Sequence, residues 1–275
     1  MATLRQLLTE AVPDLKPHST TPFLDALLLA SLAMGVPKER ALADLPVELP
    51  GDIEHEFRRL LVQRASGTPA AYIRGVQEFY GYEFTVTPAV LIPRPETELL
   101  VERTLQLPGK RVLDLCCGSG CVGISVKLQQ PWREVTCSDI SPEALAVARD
   151  NACRLKAVVT VLESDLFNSI PGTFDIILTN PPYLTAEEMQ CSRLISRGEP
   201  ALALSAGEDG LEYIKRLIPK GFSQLAPDGY LMIENSDGQC EAVAELMAAA
   251  GFSEIEIIPD LAGLRRVVTG RRLEI

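Results

Sequence analysis

The sequence predicts an α/β fold: a doubly wound, mostly parallel sheet preceded by a small helical domain. Three observations carry this. Beyond residue 110, apolar β-rich runs alternate with helical stretches, the pattern of successive βα units. A glycine-rich turn follows the first of those runs, at the place where such sheets bind ligands. Residues 1–72 carry helical periodicity instead, with no strand pattern.

Taken in order, Thr3–Val12 sets Leu4, Leu7, Leu8 and Val12 on one helical stripe. Thr21-Pro22 reads as an N-cap followed by proline at the first helical position, opening a helix to Met34 that Gly35 ends. Asp52 is expected to cap a third helix running to Ala65, with Ser66-Gly67 as its stop. Over 73–92, Phe79, Tyr80, Tyr82, Phe84 and Val86 flank Gly81, which predicts a β-hairpin connector. The remainder, 93–275, forms the sheet domain and opens on a helix over Glu96–Leu107.

Strands are expected at Arg111–Cys116, Glu134–Ser138, Val158–Glu163, Phe174–Thr179, Tyr230–Glu234, Ser253–Ile258 and Leu264–Thr269. Helices fall near 121–130, 141–155, 209–225 and 238–250. Only Pro259–Gly263 separates the last two strands, too little for a crossover helix, so that pair must be antiparallel.

Composition narrows the function. At 47% hydrophobic and 23% charged residues the chain reads as a soluble globular protein. Leu24–Met34 is too short to cross a bilayer and includes Asp25. Arg5 and Glu10 break any secretory pattern, so a cytoplasmic location is expected. Seven cysteines, an odd number, argue for reduced thiols rather than a disulfide framework. Cys116, Cys117 and Cys121 cluster, but the only histidines, His18 and His55, lie far off, and no metal is expected. A net charge of −11, with short basic pairs such as Arg58-Arg59, Arg265-Arg266 and Arg271-Arg272 but no long basic stripe, argues against a nucleic-acid substrate.

Two turns carry the chemistry. The first, Asp114-Leu-Cys116-Cys117-Gly118-Ser119-Gly120-Cys-Val-Gly123, satisfies G-x-G-x-x-G, and Asp139 follows about twenty residues on. Taken alone this is a nicotinamide dinucleotide pattern. Asp114 separates the readings: a carboxylate there repels a pyrophosphate but attracts the ammonium of S-adenosylmethionine. Asp139 suits a ribose diol, and Asp165, beside Leu166 at the end of the third strand, suits the adenine amine.

The second turn is Asn180-Pro181-Pro182-Tyr183, directly after the apolar strand Phe174–Thr179. Two prolines stiffen it, and Asn180, preceding one, is pushed to extended backbone. The Asn180 side-chain oxygen and the Pro181 carbonyl can each accept one N–H of a planar –NH₂ group, with Tyr183 against its face. An amide nitrogen is a poor nucleophile, so methylating it depends chiefly on positioning.

Asn-Pro-Pro-Tyr also occurs in DNA amino-methyltransferases, so by itself it specifies only a planar amine. Arg74-Gly75-Val-Gln-Glu-Phe79-Tyr80-Gly81 and Ile92-Pro93-Arg94-Pro95-Glu96-Thr97-Glu98 go further. With Glu199-Pro200-Ala-Leu202, Asp209-Gly210-Leu211 and Asp260-Leu-Ala-Gly263-Leu-Arg-Arg266, they resemble the release factor glutamine methyltransferase family, the HemK-like N5-glutamine methyltransferases, over nearly the whole chain.

The resemblance implies a Rossmann-like S-adenosylmethionine-dependent methyltransferase sheet of seven strands, last pair antiparallel, with a small N-terminal helical domain. It implies methylation of the glutamine of the Gly-Gly-Gln loop in peptide chain release factors, with residues 1–72 gripping that partner. It also places Thr97 and Glu96 at the methionine end of the cofactor, and Arg94 with Pro182 at the substrate. Cys116-Cys117 and Leu166 depart from relatives that carry glycine or threonine, and an aromatic residue, at those places. The alternatives are a DNA adenine-N6 methyltransferase, which needs a basic cleft or an inserted recognition domain, and an N5-glutamine methyltransferase of a ribosomal protein. A non-catalytic cofactor-binding adaptor would lack Asn180 or Tyr183, and both are present.

Overall fold

A computed structural model describes residues 2–192 and 198–274. The chain divides into two compact units, Met1–Gly75 with Gln190–Gly198, and Val76–Met189 with Glu199–Ile275.

The first unit holds helices α1 (Leu4–Leu15), α2 (Pro22–Met34), α3 (Lys38–Ala43), α4 (Gly51–Ala65) and α5 (Ala70–Arg74). Thr3 caps α1 in a capping box with Gln6. Pro22 opens α2 and Gly35 closes it in the left-handed region. Asp52 is not the cap of α4: Pro50 holds that position and Asp52 lies in the first turn, where its charge favours the helix N-terminus. Leu4, Leu7, Leu8, Leu15, Leu29 and Phe57 bury in a separate core.

The second unit opens on the hairpin β1 (Val76–Phe79) and β2 (Tyr82–Thr85), then α6 (Glu98–Gln106). Glu96 and Thr97, expected inside that helix, instead form a single 3-10 turn, Pro95–Thr97, ahead of it. There follow β3 (Arg111–Leu115), α7 (Cys121–Gln129), β4 (Glu134–Asp139), α8 (Pro142–Arg154), β5 (Thr160–Glu163) and β6 (Phe174–Thr179). A short α9 (Ala186–Ser192) begins in this unit and ends in the Gln190–Gly198 segment of the first; α10 (Glu212–Gln224), β7 (Leu225–Glu234), α11 (Cys240–Ala249), β8 (Ser253–Pro259) and β9 (Arg265–Arg271) complete the second.

The seven strands run in the order β5-β4-β3-β6-β7-β9-β8. All neighbours are parallel except β9, which runs antiparallel to both β7 and β8. The last two strands therefore pair as their short connection requires.

Strand alternation divides the core. Val112, Ile176 and Leu178 face one layer with α6, α7 and α8. Leu113, Leu115, Ile177 and Ile233 face the other, with α10 and α11. Because β3 to β7 are parallel, their carboxyl ends share one edge, and chain order reverses at β3, between β4 and β6. The crevice at that edge is where such sheets take ligands.

Asn151 on α8 ties this edge to the hairpin. Its Nδ2 donates to the carbonyls of Thr85 and Ser119, each at 3.0 Å, and its Oδ1 accepts the Thr85 N–H at 2.7 Å. The side chain is fully buried. Asn151→Ala leaves several buried backbone groups unpaired and should cost about 3 kcal/mol, read as a lowered urea midpoint.

Candidate active site

The glycine turn between β3 and α7 is locked from both sides. Gly123 N–H donates to Asp114 Oδ2 at 2.8 Å, and Gly118 N–H donates to Asp139 Oδ2 at 2.9 Å. A second amide, Ser141 N–H, reaches Asp139 Oδ1 at 3.0 Å. Glycine is required where the helix starts: Gly120 has φ +77°, and a Cβ on Gly123 would lie 2.6 Å from Cys137 Sγ. Cys116 takes a left-handed φ of +59°, which ends β3 one residue earlier than the apolar run suggests.

Burial dominates the electrostatics. Asp114 is 2% exposed, and its carboxyl is pushed up to about 7 by burial, against the Gly123 N–H bond and with help from the Asp139 charge. Asp139 is raised in the same way. The Cys116 thiol is pushed up to about 12, chiefly by burial, so it stays neutral.

Along this edge runs a cavity with an empty volume of about 1050 Å³ including its open mouth, the size of a cofactor site. Its wall contains Arg94, Thr97, Asp114, Cys116, Cys117, Gly118, Ser119, Asp139, Asp165, Leu166, Asn180 and Pro182, all expected at the site. Gly120, Pro181, Tyr183 and Glu96 are not part of the wall. Asp165 also accepts from Arg216 Nη2 at 2.7 Å.

At the second turn, Asn180 Nδ2 donates to Thr97 Oγ1 at 3.2 Å, which leaves Asn180 Oδ1 as the free acceptor end. The Tyr183 hydroxyl donates to Glu234 Oε1, at 3.5 Å. The Tyr183 backbone carbonyl accepts Gln239 Nε2 at 2.9 Å. Burial and the Glu234 charge raise the Tyr183 phenol.

Two carboxylates have roles that the sequence did not assign: Glu199, quoted there only as part of a motif, and Glu234, not singled out. Glu199 accepts from the Ile92 N–H at 3.0 Å and from Arg94 Nη2 at 2.6 Å, anchoring the proline-rich entry to the site. Glu234 ends β7 and is 2% exposed. The rule that placed Asp114 and Asp139, an acid at the carboxyl end of a parallel strand, also finds Glu234.

A cluster of acids and small residues at the switch point of this sheet, followed by Asn-Pro-Pro-Tyr, defines an S-adenosylmethionine-dependent methyltransferase. Residues 95–208 match the "Methyltransferase small domain" and residues 6–75 the "PrmC N-terminal domain". The fold is shared with a methyltransferase from Pyrococcus furiosus, at TM-score 0.55 and 19% identity over 80% of this chain and 100% of that one. It is also shared with a 16S rRNA N2 G1207 methyltransferase of T. thermophilus, at TM-score 0.54 and 17% identity over 72% and 49% of the two chains. A release factor glutamine methyltransferase of Koribacter versatilis is 39% identical over 98% of this chain and 99% of its own. One of Neisseria gonorrhoeae is 42% identical over 93% and 96%. The chain belongs to the release factor glutamine methyltransferase family, and its cofactor is S-adenosylmethionine.

Gly123→Ala should lower stability by about 1–3 kcal/mol, since the new methyl meets Cys137 Sγ and, at 3.0 Å, Asp114 Oδ2. A thermal melt of the ligand-free protein checks it.

Proposed function

We propose that this enzyme methylates the side-chain nitrogen of the glutamine in the Gly-Gly-Gln loop of peptide chain release factors. The observation that carries this is the orientation of Asn180. Its Nδ2 is engaged by Thr97, so Oδ1 is the end left to receive an N–H of a planar amide. The Pro181 carbonyl would accept the other N–H, on backbone that the two prolines stiffen. Near full-length kinship to relatives named for that substrate supports the choice of glutamine.

The site fits the cofactor. Asp114 is a buried carboxyl with no ion-pair partner among the described residues, and burying such a charge unpaired is costly. An ammonium supplies the missing cation. Asp139 would hold the ribose, Asp165 and Leu166 would border the adenine, and Cys116, Cys117, Gly118, Ser119, Gly120, Asn180 and Thr97 would frame the rest. When bound, S-adenosylmethionine supplies an electrophilic methyl group. The residues of the chain orient the acceptor nitrogen toward it and exclude water. Arg94, fixed by Glu199, and Glu96 border the substrate side. Residues 1–72, with their own core and exposed Phe23, Leu24 and Val62, would grip the factor away from its loop. A cytoplasmic location follows from that partner.

Release factor incubated with enzyme and S-adenosylmethionine should gain one methyl on the Gly-Gly-Gln peptide by mass spectrometry. Asn180→Ala should slow this by at least about 100-fold at saturating cofactor. Methylated adenine in a DNA control, or full turnover by the variant, contradicts the reading.

A pH dependence follows from Asp114. The ammonium binds the carboxylate form, and the free carboxyl lies at about 7. Cofactor affinity should therefore be full above that value and fall about tenfold per unit below it. Calorimetric titration from pH 6 to 8 should show this slope, and Asp114→Asn should bind weakly without it.

A further inference from the structure

The two prolines of the Asn180–Tyr183 turn cannot be tied down where they stand. Neither has an N–H to donate, and a carbonyl that is to receive substrate must stay unpaired. Pro181 and Pro182 therefore take their placement from what holds the two ends of the turn. The near end is fixed by β6 and by the Asn180 bond to Thr97. The far end is held by Gln239, a buried side chain that the chemistry described so far does not use.

Gln239 belongs to the single 3-10 turn Asp237–Gln239 between β7 and α11. Both ends of its amide are committed. Oε1 accepts the Ser236 N–H at 3.2 Å, one half of a capping box. That leaves the donor end to face the other way. Nε2 donates to the Tyr183 carbonyl at 2.9 Å and, less closely, to the Asp209 carbonyl at 3.4 Å. Gly210 makes room for this: its φ is +69°, and a Cβ there would collide with both Gln239 Nε2 and the Tyr183 carbonyl oxygen. Leu184 then forms a parallel bridge with Ser205. Its N–H donates to the Leu204 carbonyl and its carbonyl accepts the Ala206 N–H, each at 2.9 Å. The loop bound in this way carries Pro200, Leu202 and Ala203 onto the cavity wall.

Resting on the amide-methylation reading above, we infer that Gln239 is a positioning residue for methyl transfer: its amide clamps the far end of the turn and so sets the Pro181 carbonyl against the substrate nitrogen. The prolines carry the constraint from Tyr183 back to Pro181, because neither φ can turn to absorb a shift. Without the clamp the Tyr183 carbonyl has no side-chain donor among the described residues, and the turn can pivot on its Asn180 end. Rate is sensitive to such movement, since a displacement of about 1 Å can cost about 100-fold.

The test is single-turnover methylation of release factor, with S-adenosylmethionine saturating at each pH from 5.5 to 9. Gln239→Met, which keeps the length and removes the donor, should be slower by about 10–100-fold. Gln239→Glu separates clamping from packing. Its carboxylate cannot donate, whereas the neutral acid, favoured by burial, has an O–H for the Tyr183 carbonyl. The rate of this variant, divided by that of wild type at the same pH, should climb about fivefold or more from pH 9 to 5.5. Asp114 and Glu234, whose carboxyls lie at about 7, are common to both proteins and cancel in that ratio. Asp209 and Asp237, the acids beside the clamp, are paired with Lys215 and Arg265. Gly210→Ala, which pushes donor and carbonyl apart, should be slowed as Gln239→Met is, and the two combined should be no slower than the worse single variant, because both break one clamp. Gln239→Met at full rate, a Gln239→Glu ratio that stays flat with pH, or losses that multiply in the double variant overturn the inference. If Gln239→Met melts too early to assay, Gln239→Glu decides alone: a ratio that rises toward low pH supports the inference and a flat one overturns it. A wild type that leaves release factor unmethylated overturns instead the substrate reading, and this inference with it.

Discussion

Parallel strand direction governs the arrangement of this site. Five strands from β3 to β7 deliver their last residues to a single edge, and three of them end on or next to an acid that is largely buried: Asp114, Asp139 and Glu234. Left to themselves these carboxyls resist ionisation, as the raised values of Asp114 and Glu234 show. Each is compensated differently. Asp139 takes two backbone amides, Gly118 of the glycine turn and Ser141 just beyond its own strand. Asp114 takes one and leaves the balance to a cationic ligand. Glu234 has only the Tyr183 hydroxyl, at 3.5 Å. Cofactor affinity thereby becomes a property of charge placement rather than of contact area.

The turn Asn180–Tyr183 depends on this edge from a second direction. Its prolines fix the backbone, but the side-chain polarity of Asn180 comes from Thr97, eighty-three residues earlier in the chain. Thr97 in turn is set by the 3-10 turn Pro95–Thr97, and the segment leading into it is anchored at Arg94 and Ile92 by Glu199. Stiff local backbone and long-range polar contacts therefore act on the same atoms. Neither alone would orient a planar amide.

Much of this was legible from residues alone. Phe174–Thr179 has the bounds its apolar run implies, because it is a central strand whose middle residues, Ile176–Leu178, are buried on both faces. The antiparallel final pair followed from a connection too short for a helix. What was not legible has physical reasons. Helices α3, α5 and α9 span too few residues for a hydrophobic period to register. Asp52 is a sound capping residue displaced by a proline two positions earlier. Glu199 lies 105 residues from Arg94, and no local pattern announces a contact at that separation.

Cys116, with its left-handed backbone, has a consequence for the denatured chain. Glycine at that place would relieve native strain of about 1–2 kcal/mol, but it would also enlarge the unfolded ensemble and so reduce stability by about 0.4–1 kcal/mol. The two effects oppose each other, so the residue's identity is only weakly constrained by folding. What remains to decide it is the environment it gives the ligand: a thiol held neutral adds volume beside a cationic cofactor without adding charge. A residue type unusual for its backbone is thereby admitted on the strength of what it leaves unaltered.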